Sequence, residues 1–190
     1  MFLAEEGKMP KRTPSKALTD PTQLKTMRKG GGLLQVIIET PKNSRNKYSF
    51  DAEQRVFSLK KVLPAGMAFP YDFGFLPQTI AEDGDPIDVL VLMDEPAFPG
   101  CLLQARLIGV IEGEQQDGKP IRNDRLVAIA EANHSFTKVK RIKDLPRHFV
   151  KELETFFVDY HKLEGKRYRL LGCRGPAAAL TLIKQAQKAA

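Results

Sequence analysis

Residues 83–94 read Asp83-Gly84-Asp85-Pro86-Ile87-Asp88-Val89-Leu90-Val91-Leu92-Met93-Asp94. Gly84 and Pro86 interrupt any helical period, so Asp83 to Asp88 reads as a turn. The stretch that leaves it, Asp88 to Asp94, is short, nearly all apolar and rich in Val and Leu, the pattern of a strand anchored in a core. Three carboxylates at spacings of two and three are thereby held together at the rim of a folded body.

Working outward, strands dominate both flanks. Leu33 to Thr40 is β-branched, apolar and stopped by Pro41. After a polar turn over 42–46, Lys47 to Phe50 alternates as a short strand, and Val56 to Leu63 is another, ended by Pro64. Residues 64–82, rich in Pro, Gly and Phe, read as a long ordered loop. Beyond the acidic turn, Cys101 to Glu114 is a long strand or hairpin arm, 114–123 a polar turn region around Asp117-Gly118, and Arg125 to Ala132 the next strand. The period then changes. Apolar residues at 145, 149, 153, 156, 157, 160 and 163 fall on one helical face, with Pro146 in the first turn and Gly165 at the end. The alanine-rich Pro176 to Lys188 is a second helix. Strands followed by helices predict an α+β fold: a small, mostly antiparallel, OB-like β-barrel flanked by two C-terminal helices.

The chain of 190 residues suits one domain with a real core, and its 42% hydrophobic and 28% charged residues are ordinary for a globular protein. Its formal charge of +7 raises the question of nucleic acid. Residues 1–30 carry seven Lys/Arg against three acids, so most of the excess sits there and the body is nearly balanced. A nucleic-acid domain more often concentrates bases on the fold itself, so this distribution argues against that partner. Residues 1–30 are expected to be a basic flexible tail or an arm lying on the body, with Lys29-Gly30-Gly31-Gly32 as hinge and residues 31–190 as the folded domain. The hinge lacks the ending of a phosphate-binding P-loop. No apolar stretch approaches a membrane span, and the first four residues are too short for a secretory leader. Cys101 and Cys173 lack metal-ligand spacing and suit buried, inert roles in the cytoplasm. His134, His148 and His161 have no metal spacing either and are expected on solvent or helix-surface positions.

Clustered carboxylates repel one another and are driven towards protonation unless cations share them. An all-oxygen set without His or Cys favours Mg²⁺, Mn²⁺ or Ca²⁺ over zinc. An EF-hand is excluded: counting from Asp83, Ile87 and Val91 stand where side-chain oxygens are needed, and Asp88 where glycine is needed. From composition alone, a metal site and a solvated acidic turn remain equal.

Asp83-Gly84-Asp85-Pro86-Ile87-Asp88-Val89-Leu90 resembles the diagnostic motif of the soluble inorganic pyrophosphatases. Further stretches match in family order over roughly residues 33–165: Ile38-Glu39-Thr40-Pro41 with Lys47-Tyr48, Met67 to Thr79, Arg125 to Ala128, and Phe156 to Tyr160. The resemblance implies a Mg²⁺-dependent hydrolase, with Mn²⁺ as an alternative ion, that splits pyrophosphate into two phosphates with a metal-activated water. It also implies a homo-oligomer and a pyrophosphatase-like catalytic domain over 31–190. By the same match Asp83, Asp88 and Asn123 are metal-binding positions, and Asp85 accepts the proton of the attacking water. Lys47, Lys61, Arg125 and Tyr160 contact phosphate, and Glu39 supports them from behind. Periodicity alone would make Tyr160 a core-face aromatic.

Several positions depart from the family pattern. Ser49 replaces an acid, Lys61 an arginine, Phe69 and Phe73 two tyrosines, His161 a lysine and Asn123 an aspartate. Asp124 lies beside Asn123 but points to the other face of an extended strand, and Glu114 or Asp117 supplies the further acid of the preceding turn. The competing expectations are a hydrolase of another phosphoanhydride and an impaired OB-like module binding anions or nucleic acid.

Overall fold

A buried strand leaving a tight turn needs hydrogen-bond partners on both edges. The strand after the acidic turn, β5 (Asp88–Leu92), finds an antiparallel partner in β4 (Asp72–Phe75) and a parallel one in β8 (Arg125–Ala130). The computed structural model describes residues 20–190, leaving aside the side chain of Asp117. What is expected of residues 1–19 lies outside the described residues.

The other strands are β1 (Leu34–Thr40), β2 (Asn46–Asp51), β3 (Val56–Val62), β6 (Leu102–Asp117), β7 (Lys119–Arg122) and β9 (Arg167–Arg174). β1 pairs with β4 on one edge and β6 on the other, and β6 pairs with β8. The ring β1-β4-β5-β8-β6 therefore closes on itself, and only its β5–β8 step is parallel. This is the expected mostly antiparallel, OB-like barrel, in which closure removes free edges. The 16-residue β6 can serve successive partners because its register shifts between Leu107 and Gly109, bending the strand. β7 and β9 extend the sheet from the far end of β6, and β2–β3 is a separate hairpin.

Helix α1 (Arg147–Leu163) lays Phe149, Leu153, Phe157 and Tyr160 against Leu90, Ile111 and Val127. Helix α2 (Pro176–Ala189) lays Ala179, Ile183 and Ala186 against the opposite set, Val36, Val89 and Leu126. The alternation of strand side chains thus divides the core between the two expected helices.

Three strands were not expected. β4 lies within the stretch read as a loop, because four residues that include Asp72 and Gly74 give almost no periodic signal. The stretch 114–123, read as one turn region, is mostly the β6–β7 hairpin, whose tight turn falls at Gly118 with φ +90°. β9 is masked by its arginines, which an exposed face tolerates; only Tyr168 in it is fully buried. Two side-chain expectations are corrected. Cys173 is exposed on β9 rather than buried, and His161 is 2% exposed rather than on the helix surface. Residues 20–30 lie against the body: Thr26 is buried, donates to the Pro77 carbonyl at 2.9 Å and accepts from Gln187 at 2.8 Å, and Met27 bridges to Leu34.

Gly74 marks the tightest approach in the barrel. A β-carbon there would collide with the Ile37 carbonyl of β1 and lie 2.9 Å from the Ile38 Cα. Neither backbone can yield without breaking the β1–β4 ladder, so Gly74→Ala should destabilise by at least about 3 kcal/mol. A urea melt with a midpoint near wild type would refute this.

Candidate active site

The parallel pairing of β5 and β8 sets Asp88 directly opposite Arg125, so an acid and a base open their strands at the same end. The acidic turn stands above Asp88, and α1 crosses the same mouth. Together they enclose a cavity of about 350 Å³ lined by Asp83, Asp85, Asp88, Lys47, Asn123, Arg125 and Tyr160, with Phe69, Phe73, Gln115, Phe157, His161, Glu164 and Lys166. Seven residues expected from the sequence meet here. Larger grooves exist, such as the one of about 560 Å³ beside α2, but there Arg122 and Arg174 are already paired with Asp124 and Glu112.

The turn is held by its backbone. The Asp85 amide donates to the Asp83 carboxylate at 3.3 Å, the Ala81 amide donates to the Asp85 carbonyl at 2.7 Å, and Gly84 takes a φ of +89°. Asp85 itself is exposed. Burial pushes Asp88 up to about 7, against the opposing pull of Arg125 and Lys47. Its side chain still keeps 27% exposure, so low-polarity walls and neighbouring acids act without full enclosure. Asp83 is raised by burial and by the charge of Asp85.

Arg125 is pinned on every side. One Nη donates to the Asn123 carbonyl at 3.0 Å, the other lies 3.3 Å from His161 Nε2, and Nε is 3.8 Å from Asp88 with no hydrogen bond. The guanidinium lies 4.2 Å from the Phe157 ring centroid and 4.9 Å from that of Tyr168. His161 Nδ1 sits 2.8 Å from the Phe157 carbonyl and so must donate, which makes Nε2 an acceptor for Arg125. Burial and the adjacent Arg125 lower His161 to about 4, keeping it neutral. A lysine at this position would stand against a buried guanidinium.

Lys47, on β2, points into the cavity with its ammonium 5.5 Å from the Tyr160 ring centroid. Burial works to lower it, but Tyr160, Asp88 and Glu164 outweigh that and hold it raised and charged. The Tyr160 hydroxyl is buried and has no protein hydrogen-bond partner. Glu39 is 8% exposed and accepts from Ser49 Oγ at 3.1 Å and from the Phe50 amide at 2.7 Å, so it steadies the strand that carries Lys47. Burial raises it nonetheless. Phe69 and Phe73 pack on each other at 5.6 Å, and Phe69 meets the Tyr160 ring at 5.9 Å, forming an apolar wall. Lys61 does not line the cavity. It sits at the rim, 4.0 Å from the Tyr160 ring centroid, in an ion pair with Glu164.

Gln115 and Glu164 line the cavity without having been anticipated there, and His161 lines it at the position where the family pattern has a lysine. Gln115 accepts from the Asn123 side chain at 2.8 Å, and the Asp117-Gly118 hairpin signal was the clue to it. Asp124 faces the groove beside α2, as alternation demanded, and Glu114 pairs with Arg169 outside the cavity. Among the described residues no three acidic, His or Cys side chains converge on a single point as a closed metal cage. Asp83, Asp85 and Asp88 instead line the same cavity without closing on one point. That donor set fits a hard cation such as Mg²⁺, which binds through one or two carboxylates and keeps several waters for its other positions.

The inorganic pyrophosphatase family model matches residues 36–190. The chain is 41% identical over 157 residues to an inorganic pyrophosphatase of Synechocystis, covering 83% of this chain and 91% of that protein. It is 36% identical over 152 residues to one from Methanosarcina acetivorans, covering 80% and 89%. The crystal structure of the Thermus thermophilus inorganic pyrophosphatase superposes with a TM-score of 0.83 at 29% identity, covering 90% of this chain and 98% of that one.

Proposed function

The chain belongs to the inorganic pyrophosphatase family, and from that premise we propose that it hydrolyses pyrophosphate to two phosphates in the cavity above β5 and β8, with Mg²⁺ as its ion. The observation that carries this reading is that three carboxylates share one cavity with Lys47, Arg125 and a Tyr160 hydroxyl that has no protein hydrogen-bond partner. Acids alone would repel a phosphate, and bases alone would bind it without activating water; the two sets together match a substrate held between cations. Divalent ions supply charge screening and make water more acidic when bound.

Asp83 and Asp88 would hold the ion, with Asn123 able to contribute a neutral oxygen. Asp85, exposed at the turn tip, takes the proton of the water that attacks phosphorus as the bridging P–O bond breaks. Lys47 and Tyr160 hold phosphate oxygens. Arg125 keeps Nε–H and one further hydrogen on each Nη, so it can donate to phosphate while neutralising Asp88. Phe69 and Phe73 offer no hydroxyls, and the missing donors slow the reaction without abolishing it. Residues 31–190 form the catalytic domain, preceded by the basic segment 1–30. The unpaired cysteines suit the cytoplasm. Exposed Val56, Leu59 and Val62 on β3 suit contact with another copy.

Phosphate release from pyrophosphate should be rapid with Mg²⁺ and fall to background with a chelator. Release from other phosphoanhydrides in preference to pyrophosphate would redirect the substrate assignment.

A further inference from the structure

Glu164 occupies an electrostatically poor position. It caps the C-terminus of α1, its amide bonding to the His161 and Lys162 carbonyls, where the helix dipole presents partial negative charge. A carboxylate is disfavoured there, yet this one lines the catalytic cavity. What compensates it is cationic: Lys61 pairs with it directly, and Lys47 acts on it through space. Burial would raise its proton affinity, but the hydrogen bond and charge of Lys61, helped by Lys47, outweigh burial, so it stays ionised. Lys61 meanwhile is turned out of the cavity, its ammonium over the Tyr160 ring and held by Glu164.

We propose that Glu164 is an internal counter-ion that competes with substrate phosphate for Lys61, and so sets how tightly the cavity holds phosphate groups. This inference rests on the pyrophosphatase reading of the cavity. Both partners keep about 30% side-chain exposure, so the pair is weak enough for an anion to break. An anion that binds Lys61 must first take it from Glu164. Glu164 thus weakens the binding of phosphate and pyrophosphate alike, and Lys61 reaches phosphate only after exchange.

The test is Glu164→Gln, which keeps size and removes charge. Calorimetric titration with inorganic phosphate in chelator should give a dissociation constant about three- to fivefold lower than wild type. With Mg²⁺, KM for pyrophosphate should fall by a similar factor while kcat does not rise. In a Lys61→Met background the gain from Glu164→Gln should shrink to less than half, because its target is gone. A higher or unchanged phosphate dissociation constant in Glu164→Gln overturns the proposal, as does a full gain that persists without Lys61. Failure of the wild type itself to hydrolyse pyrophosphate would instead count against the pyrophosphatase reading, while the phosphate titration would still judge the role of Glu164.

Discussion

Asp85→Asn should lower kcat for pyrophosphate by about 10²- to 10⁴-fold, the range for removing a general base, while leaving the protein as stable as wild type. The structure makes this a clean experiment. Asp85 is exposed at the turn tip, and what holds the turn is its amide and carbonyl, which the substitution keeps. An exposed acid-to-amide change of this kind typically shifts stability by less than about 0.5 kcal/mol. Asp88→Asn would not be equivalent. It removes the counter-ion of a buried Arg125 as well as the oxygen proposed to hold the ion, so lost activity and lost stability would be confounded. Asp85→Asn retaining more than about a tenth of wild-type kcat would remove Asp85 from the proton-accepting role.

His161 is expected to make stability fall in mild acid. Its folded value of about 4 lies below the ordinary 6.5 because burial and Arg125 oppose a second charge. The unfolded chain therefore binds the proton more readily. The stability from neutral His161 is fully present above 6.5 and is lost as pH falls towards 4, amounting to about 3 kcal/mol across that window. Asp88 runs the other way: its folded value of about 7 lies above the ordinary 3.8, so its contribution is present below 3.8 and is lost as pH rises towards 7. The two partly cancel in the wild type, and a single acid titration would conceal both. His161→Gln isolates the histidine, because Asp88 remains in both proteins. The stability gap between wild type and His161→Gln, from urea midpoints, should narrow by about 2–3 kcal/mol between pH 7 and pH 4.5. A gap independent of pH would mean that His161 is not held neutral. His161→Lys should be the more damaging change, costing about 3–5 kcal/mol at neutral pH by placing an uncompensated cation against Arg125.

The parts legible in the sequence share a physical character. β1, β5 and β8 announce themselves because strands buried on both faces need unbroken apolar runs, and α1 because a single buried face imposes a 3.6-residue period. The acidic turn was legible because its three carboxylates are local in sequence. Gln115 was not, since the β6–β7 hairpin brings it to the cavity from a stretch read as a turn, and Glu164 was not, since it stands just past the periodic face of α1 that Tyr160 ends. His161 also hid behind chemistry: a titratable residue on a helix is normally exposed, and only the acceptor needed by Arg125 explains its burial. β9 hid for the converse reason, its outward arginines diluting the pattern that Tyr168 alone reports.

The parallel step between β5 and β8 carries a consequence for how activity and folding are linked. Asp88 and Arg125 face each other only because two strands far apart in the chain pair in one register. A slip of one residue along that ladder would turn one of the two side chains to the other face of the sheet and part the pair. The cavity between these strands and α1 therefore cannot form before the barrel closes, and this non-local pairing belongs to the slow part of folding. An anion or ion bound there draws on the same closure, so saturation raises the free energy of unfolding of the whole ring and not only of the turn. Half-folded chains are thus inert, and the substrate acts as a clasp on the architecture that recognises it.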